Sequence, residues 1–170
     1  MRTDTLTYTY QMRTTPERFY QVMIAQQAAF FRSKGAEEPF GENSQIDLMI
    51  RTKSAATLVP AVMKVKKIAQ DEVALITAYE QGKICQRYRF VPSGAEKIEV
   101  TYSEQNSFDR SRNTYSFMLA ALFYKFFFNK GVKKRMQYLE TACQKYNEID
   151  ENKVEIRGCL LYTSPSPRDT

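Results

Sequence analysis

Apolar and polar side chains alternate strictly near the start of the chain, with Leu6, Tyr8, Tyr10 and Met12 set against Thr5, Thr7, Thr9 and Gln11. A period of two puts every second side chain on one face, so this segment is predicted to be a strand with one buried side. The alternation stops at Thr14-Thr15-Pro16-Glu17, where a hydroxyl residue, an early proline and an acid in the first turn predict a helix N-terminus. Phe19, Val22, Met23 and Phe30 then recur at helical spacing, and Lys34-Gly35 supplies a stop, so the helix is predicted to end near residue 33.

Beyond Asn43 the period returns to two in five short runs: Ile46/Leu48/Ile50, Val59/Ala61/Met63/Val65, residues 73–79, residues 84–91 and Ile98/Val100/Tyr102. Turn-forming residues separate them at Thr52-Lys53-Ser54, Gln70-Asp71, Gln81-Gly82-Lys83 and Pro92-Ser93-Gly94, so sequential hairpins are the simplest topology. Pro60 interrupts a strand run and predicts an edge strand or bulge there. A long helix from about residue 113 to 147 closes the pattern, with Tyr115, Met118, Leu119, Leu122, Phe126, Val132, Met136 and Leu139 as its buried stripe. Gly131 inside it predicts a bend or weak point. A strand, a helix, five antiparallel strands and a closing helix bury both apolar faces only if the sheet curls around the last helix, an α+β helix-grip arrangement.

Composition narrows the chemistry. The chain has 170 residues, 43% hydrophobic and 26% charged, enough for one domain with its own core, expected over residues 1–149. No apolar run approaches the roughly 20 residues of a membrane-spanning helix. The absence of His removes Ser-His and Cys-His nucleophile pairs, histidine bases and imidazole metal sites. Residues 150–158 are expected to be a C-terminal extension. The string Cys159-Leu160-Leu161-Tyr162-Thr163-Ser164-Pro165-Ser166-Pro167-Arg168-Asp169 resembles a translated sequencing adapter, so residues 159–170 are expected to be a non-native tail. Setting it aside leaves Cys85 and Cys143, without zinc or redox spacing, as free thiols. Lacking an apolar signal core, the chain is expected in the cytoplasm. Its net charge of +6 permits, without identifying, an anionic partner.

Lys64-Val65-Lys66-Lys67-Ile68, Tyr88-Arg89-Phe90-Val91-Pro92, Lys97-Ile98-Glu99-Val100-Thr101-Tyr102 and Gly131-Val132-Lys133-Lys134-Arg135-Met136 resemble an uncharacterised bacterial family, domain-of-unknown-function family 3284. The order of elements resembles the START-like, SRPBCC superfamily. The resemblance spans most of residues 5–147 and carries no catalytic residues. It implies a helix-grip domain holding an apolar or amphipathic small molecule between sheet and helix.

Two candidate sites follow. If the long helix lies across the sheet, Tyr8, Tyr10, Met63, Tyr88, Phe90, Tyr102, Met118 and Leu122 point inward, with Gln86 as a polar group on the face of Tyr88. Rings supply contact area and phenols orientation for a lipid-like ligand, although the same stripe reads equally as solid core. The second is residues 115–128, apolar nearly all round. Phe117, Ala121, Tyr124 and Phe128 form an outer row followed by Lys130, Lys133, Lys134 and Arg135, which suits a lid, a homodimer interface or peripheral contact with an anionic membrane, and burial by loops competes with all three. Asp47, Glu80, Glu99 and Glu104 are expected to face solvent, no nucleotide-binding or hydrolase motif appears, and no cofactor or metal is expected. The basic residues match no nucleic-acid reader, so no specific nucleic acid is expected, and the domain reads as a binding module rather than an enzyme.

Overall fold

A computed structural model describes residues 2–36, 39–51, 57–108 and 114–146, with side chains described for residues 5–107 and 125–146 within those segments. The elements follow in the order β1 (Arg2–Met12), α1 (Pro16–Ser33), β2 (Gln45–Arg51), β3 (Leu58–Ala69), β4 (Glu72–Tyr79), β5 (Gly82–Gly94), β6 (Lys97–Phe108) and α2 (Thr114–Lys145).

Local chemistry accounts for the boundaries. Thr15 caps α1, its side-chain oxygen accepting the Arg18 amide at 3.3 Å, and Pro16 occupies the first turn, where a missing N–H costs nothing. After α1, Gly35 takes φ +89°, the left-handed conformation that ends a helix most readily with glycine. α2 continues through Gly131 as unbroken helix.

The six strands form one curved antiparallel sheet in the order β1-β6-β5-β4-β3-β2. Strands β2 to β6 are sequential hairpins, and β1 closes the far edge by pairing Tyr8 with Tyr102 and Met12 with Ile98. Pro60 does not mark an edge, because β2 lies outside β3. It sits just ahead of the β3–β4 ladder, which begins at Ala61 and Tyr79, and the bulge falls instead between Val65 and Lys67. Pro92 and Ser93 belong to β5, whose reversal comes later, at residues 95–96, with Glu96 at φ 52°. The turn expected at Thr52-Lys53-Ser54 lies outside the described residues.

Inward side chains line up in rows across the strands. Tyr8, Tyr102, Tyr88 and Val73 make one; Leu6, Glu104, Gln86, Leu75 and Val65 the next; Asn106, Ile84, Thr77, Met63 and Ile46 a third. At the opposite end Met12, Ile98, Val100 and Phe90 are buried, and Phe90 packs edge-on against Phe19 of α1 at 4.8 Å. α2 crosses this face with Val132, Met136, Leu139 and Cys143 buried.

The α2 stripe corrects the sequence reading at two aromatics. Phe126, expected inside, is 64% exposed, whereas Phe128, expected on an outer interaction surface, is fully buried. Helical phase explains the exchange: Phe128 stands one turn before Val132, and Phe126, six positions before it, lies far round the helix. Arg135, counted with the basic run, shares the buried face and is 6% exposed.

Candidate functional site

The inward face of the sheet changes character along β5 and β6. From Phe90, Ile98 and Val100 it is apolar, and from Tyr102 onward it becomes Tyr102, Glu104 and Asn106 on β6 beside Gln86 on β5. Glu104 corrects an expectation. It is fully buried, because it shares strand parity with Val100 and Tyr102 and must point where they point.

A chain of hydrogen bonds holds the row. Tyr102 donates its phenol to Glu104 Oε2 at 2.8 Å, Asn106 Nδ2 donates to Glu104 Oε1 at 3.2 Å, and Gln86 Nε2 donates to the Tyr102 hydroxyl at 2.9 Å. Burial first, then the neighbouring Glu104 charge, holds the Tyr102 phenol well above its usual pKa, so it stays protonated and able to donate. Arg135 reaches in from α2, donating to the Tyr88 hydroxyl at 3.3 Å with its guanidinium 5.3 Å from the Tyr102 ring centre. Tyr88 and Tyr102 have ring centres 4.7 Å apart, and Phe128 stacks on Tyr102 at 5.8 Å. The cluster therefore contains one buried cation and one buried anion joined through Tyr102.

Two polar atoms in this region are buried without a partner among the described residues, Gln86 Oε1 and Thr77 Oγ1. They belong to adjacent rows. An open cavity of about 620 Å³ lies elsewhere, at the β2–β3–β4 side beside α1, lined by Phe30, Lys34, Leu48, Pro60, Ala61 and Tyr79 among others, and none of the described candidate residues lines it.

α2 runs over this region. Phe128 covers Tyr102, and Glu140 binds the other end of β1, accepting the Tyr10 phenol and the Arg13 amide, each at 2.8 Å. Residues 114–127 precede Phe128 and extend about 21 Å at 1.5 Å per residue, the span of about three strand rows.

Of the inward candidates, Gln86, Tyr88 and Tyr102 touch one another, and Met63 is buried opposite Thr77. Phe90 packs on α1, and half-buried Tyr10 bonds to α2, both in the apolar half of the interior. Tyr8 is half-buried opposite Tyr102. Met118, Leu122, Phe117 and Tyr124 lie in helical α2, their side chains outside the described set. Lys130, Lys133 and Lys134 are exposed. The sequence reading omitted Thr77, Glu104, Asn106 and Arg135 from the interior; strand parity identifies the first three, and helical phase from Phe128 the fourth. Among the described residues no group of three Cys, Asp or Glu side chains is placed to hold a metal ion, and no helix is long and apolar enough to cross a membrane.

The architecture is an α+β helix-grip fold: a six-stranded antiparallel curved sheet with an N-terminal and a C-terminal helix. Similar solved structures include norcoclaurine synthase from Thalictrum flavum in complex with dopamine and hydroxybenzaldehyde, at TM-score 0.57 and 7% identity over 85% of this chain and 88% of that one. Zhui aromatase/cyclase from Streptomyces sp. R1128 aligns at TM-score 0.54 and 10% identity over 86% and 96%, and Ara h 8.0201 at 0.53 and 9% over 85% and 97%. Identities this low establish the fold alone. No family model matches the chain, and no curated protein matches it.

Proposed function

We propose that this protein binds an apolar or amphipathic small molecule, without converting it, between the sheet and the N-terminal half of α2. The observation that carries the reading is the polar end of an otherwise apolar interior, where Gln86 Oε1 and Thr77 Oγ1 are buried and unpartnered. Buried polar atoms are nearly always satisfied, so a pair of orphans marks a place where something else supplies the bond. Met63, Gln86, Tyr88 and Tyr102 serve as wall and anchor in this proposal, and the sequence expectation adds Met118 and Leu122. The fold is shared by a synthase whose structure holds two aromatic molecules, which supports an aromatic-sized ligand. Turnover is not proposed, because both Glu104 oxygens already accept side-chain donors and the Tyr102 proton is committed to one of them. Membership of family 3284, a cytoplasmic location and a non-native origin for residues 159–170 belong to the same proposal, supported by the segments quoted above.

Native mass spectrometry of the purified protein, with solvent extraction and calorimetric titration of alkylphenols and fatty acids, tests the reading. A co-purifying small molecule or saturable one-to-one binding is expected. Empty protein that binds none of these compounds overturns it.

One observation favours a second reading. Exposed Phe126 stands among exposed Lys125, Lys130, Lys133 and Lys134, and residues 114–139 contain no acid. An aromatic wedge in a purely cationic surface suits an anionic membrane, with Phe117 and Tyr124 nearby in sequence. Vesicles containing phosphatidylserine should pull the protein down at low salt, and Phe126→Asp should abolish this. Equal recovery on neutral vesicles refutes it, and a concentration-dependent dimer broken by the same substitution would replace it with self-association.

A further inference from the structure

We infer that the ligand presents an uncharged hydroxyl, phenolic or alcoholic, to Gln86 and Thr77; the inference rests on the binding reading above. Glu104 accepts from Tyr102 through Oε2 and from Asn106 through Oε1. The single proton of Tyr102 is therefore directed to Glu104, and the Tyr102 oxygen has only acceptor capacity left for Gln86. That fixes the amide of Gln86, whose NH₂ must face Tyr102, turning Oε1 away from the network. This oxygen is the unpartnered atom, on a side chain 2% exposed.

Thr77 is the diagonal neighbour of Gln86 across the β4–β5 ladder, since Leu75 pairs with Gln86 and Thr77 with Ile84. Diagonal positions lie about 7 Å apart, a gap one small polar group can bridge. Its hydroxyl is also unpartnered, on a side chain 1% exposed.

A group seated there must donate to Gln86 Oε1, and it gains a second bond if it accepts from Thr77. A hydroxyl does both. An ether or a carboxylate offers no proton, and a carboxylate would also set a negative charge beside Glu104. An ammonium donates but brings a charge to two uncharged partners, Gln86 and Thr77, and burying an unpaired ion is costly.

Three compounds sharing one apolar body test the inference by isothermal titration calorimetry: 4-pentylphenol, 1-methoxy-4-pentylbenzene and 4-pentylbenzoate. The phenol is expected to bind about tenfold more tightly than the methyl ether, because only the ether leaves the acceptor unpaired. Gln86→Leu is expected to bring the two within about twofold while preserving the affinity for the ether. Should that variant fail to fold, as judged by circular dichroism, Gln86→Met, which keeps the length of the side chain and lacks the amide oxygen, supplies the same test and is expected to shrink the preference likewise. Equal affinities in the native protein, or tighter binding of the benzoate, overturn the hydroxyl inference and leave ligand binding standing. No saturable binding of any of the three, together with no co-purifying molecule, overturns the binding reading as well.

Discussion

Replacing Glu104 with Ala tests how the polar end of the interior is held together. The side chain is fully buried, and each oxygen serves a different donor, Tyr102 at 2.8 Å and Asn106 at 3.2 Å. Truncation strands both donors, at about 1–3 kcal/mol for each buried group left unpaired. It also removes a side chain joined to Arg135 through Tyr102. Both stranded donors belong to one network, so the expected loss is about 2–5 kcal/mol. At about 2–4 °C per kcal/mol for a domain of this size, thermal unfolding followed by circular dichroism should move down by about 5–20 °C.

The coupling is measured separately with Arg135→Met. That change removes the donor to the Tyr88 hydroxyl and the guanidinium beside the Tyr102 ring, and should cost about 1–3 kcal/mol alone. Both side chains act on Tyr102, so the loss in the double variant should fall short of the sum of the two single losses by at least about 0.5 kcal/mol. Glu104→Gln keeps an oxygen able to accept from Tyr102 and should lie between Ala and the native residue. Urea midpoints showing Glu104→Ala within about 1 kcal/mol of the native protein, or strict additivity with Arg135→Met, would refute the account of a coupled buried cluster.

Phe128→Ala should cost about 3–4 kcal/mol as a core truncation, while Phe126→Ala stays within about 0.5 kcal/mol; urea unfolding of the pair checks the helical phase, which is wrong if the order reverses. The Tyr10 phenol is pushed up to about 12, first by burial and then by its bond to Glu140, so it ionises less readily folded than unfolded. Its contribution is intact below about pH 10 and disappears as pH rises towards 12, and Tyr10→Phe should flatten that part of the stability curve measured by chemical denaturation. Gly82→Ala would drive a methyl group into the Ser107 carbonyl across the β5–β6 ladder, so a loss of about 1–3 kcal/mol is expected from thermal unfolding, and a neutral result would place the two strands further apart.

Much of this architecture is legible in the chain because it rests on local signals. Thr15, Pro16 and Gly35 mark α1 by capping chemistry, and the alternation from Leu6 to Met12 selects the same inward side chains that the sheet buries or half-buries. Non-local pairing decides the rest. Pro60 suggests an edge only if nothing pairs outside β3, and the outer neighbour β2 arrives from a separate run. Phe126 and Phe128 exchange places because a segment apolar all round contains several self-consistent stripes, and only the partner surface selects among them.

Glu104 was misread for a different reason. Residue type was allowed to outweigh position, although a strand cannot turn one side chain outward while its neighbours two positions away on both sides, Tyr102 and Asn106, stay in. Once parity is given priority, the polar run on β6 demands buried partners, and Gln86 and Arg135 are in place to meet that demand. The inward face thus becomes polar from Tyr102 to Asn106, with Gln86 and Thr77 beside it. Apolar packing on that floor leaves Gln86 Oε1 and Thr77 Oγ1 unsatisfied. The proposed ligand would answer both with one hydroxyl, its hydrocarbon staying in the apolar part of the interior.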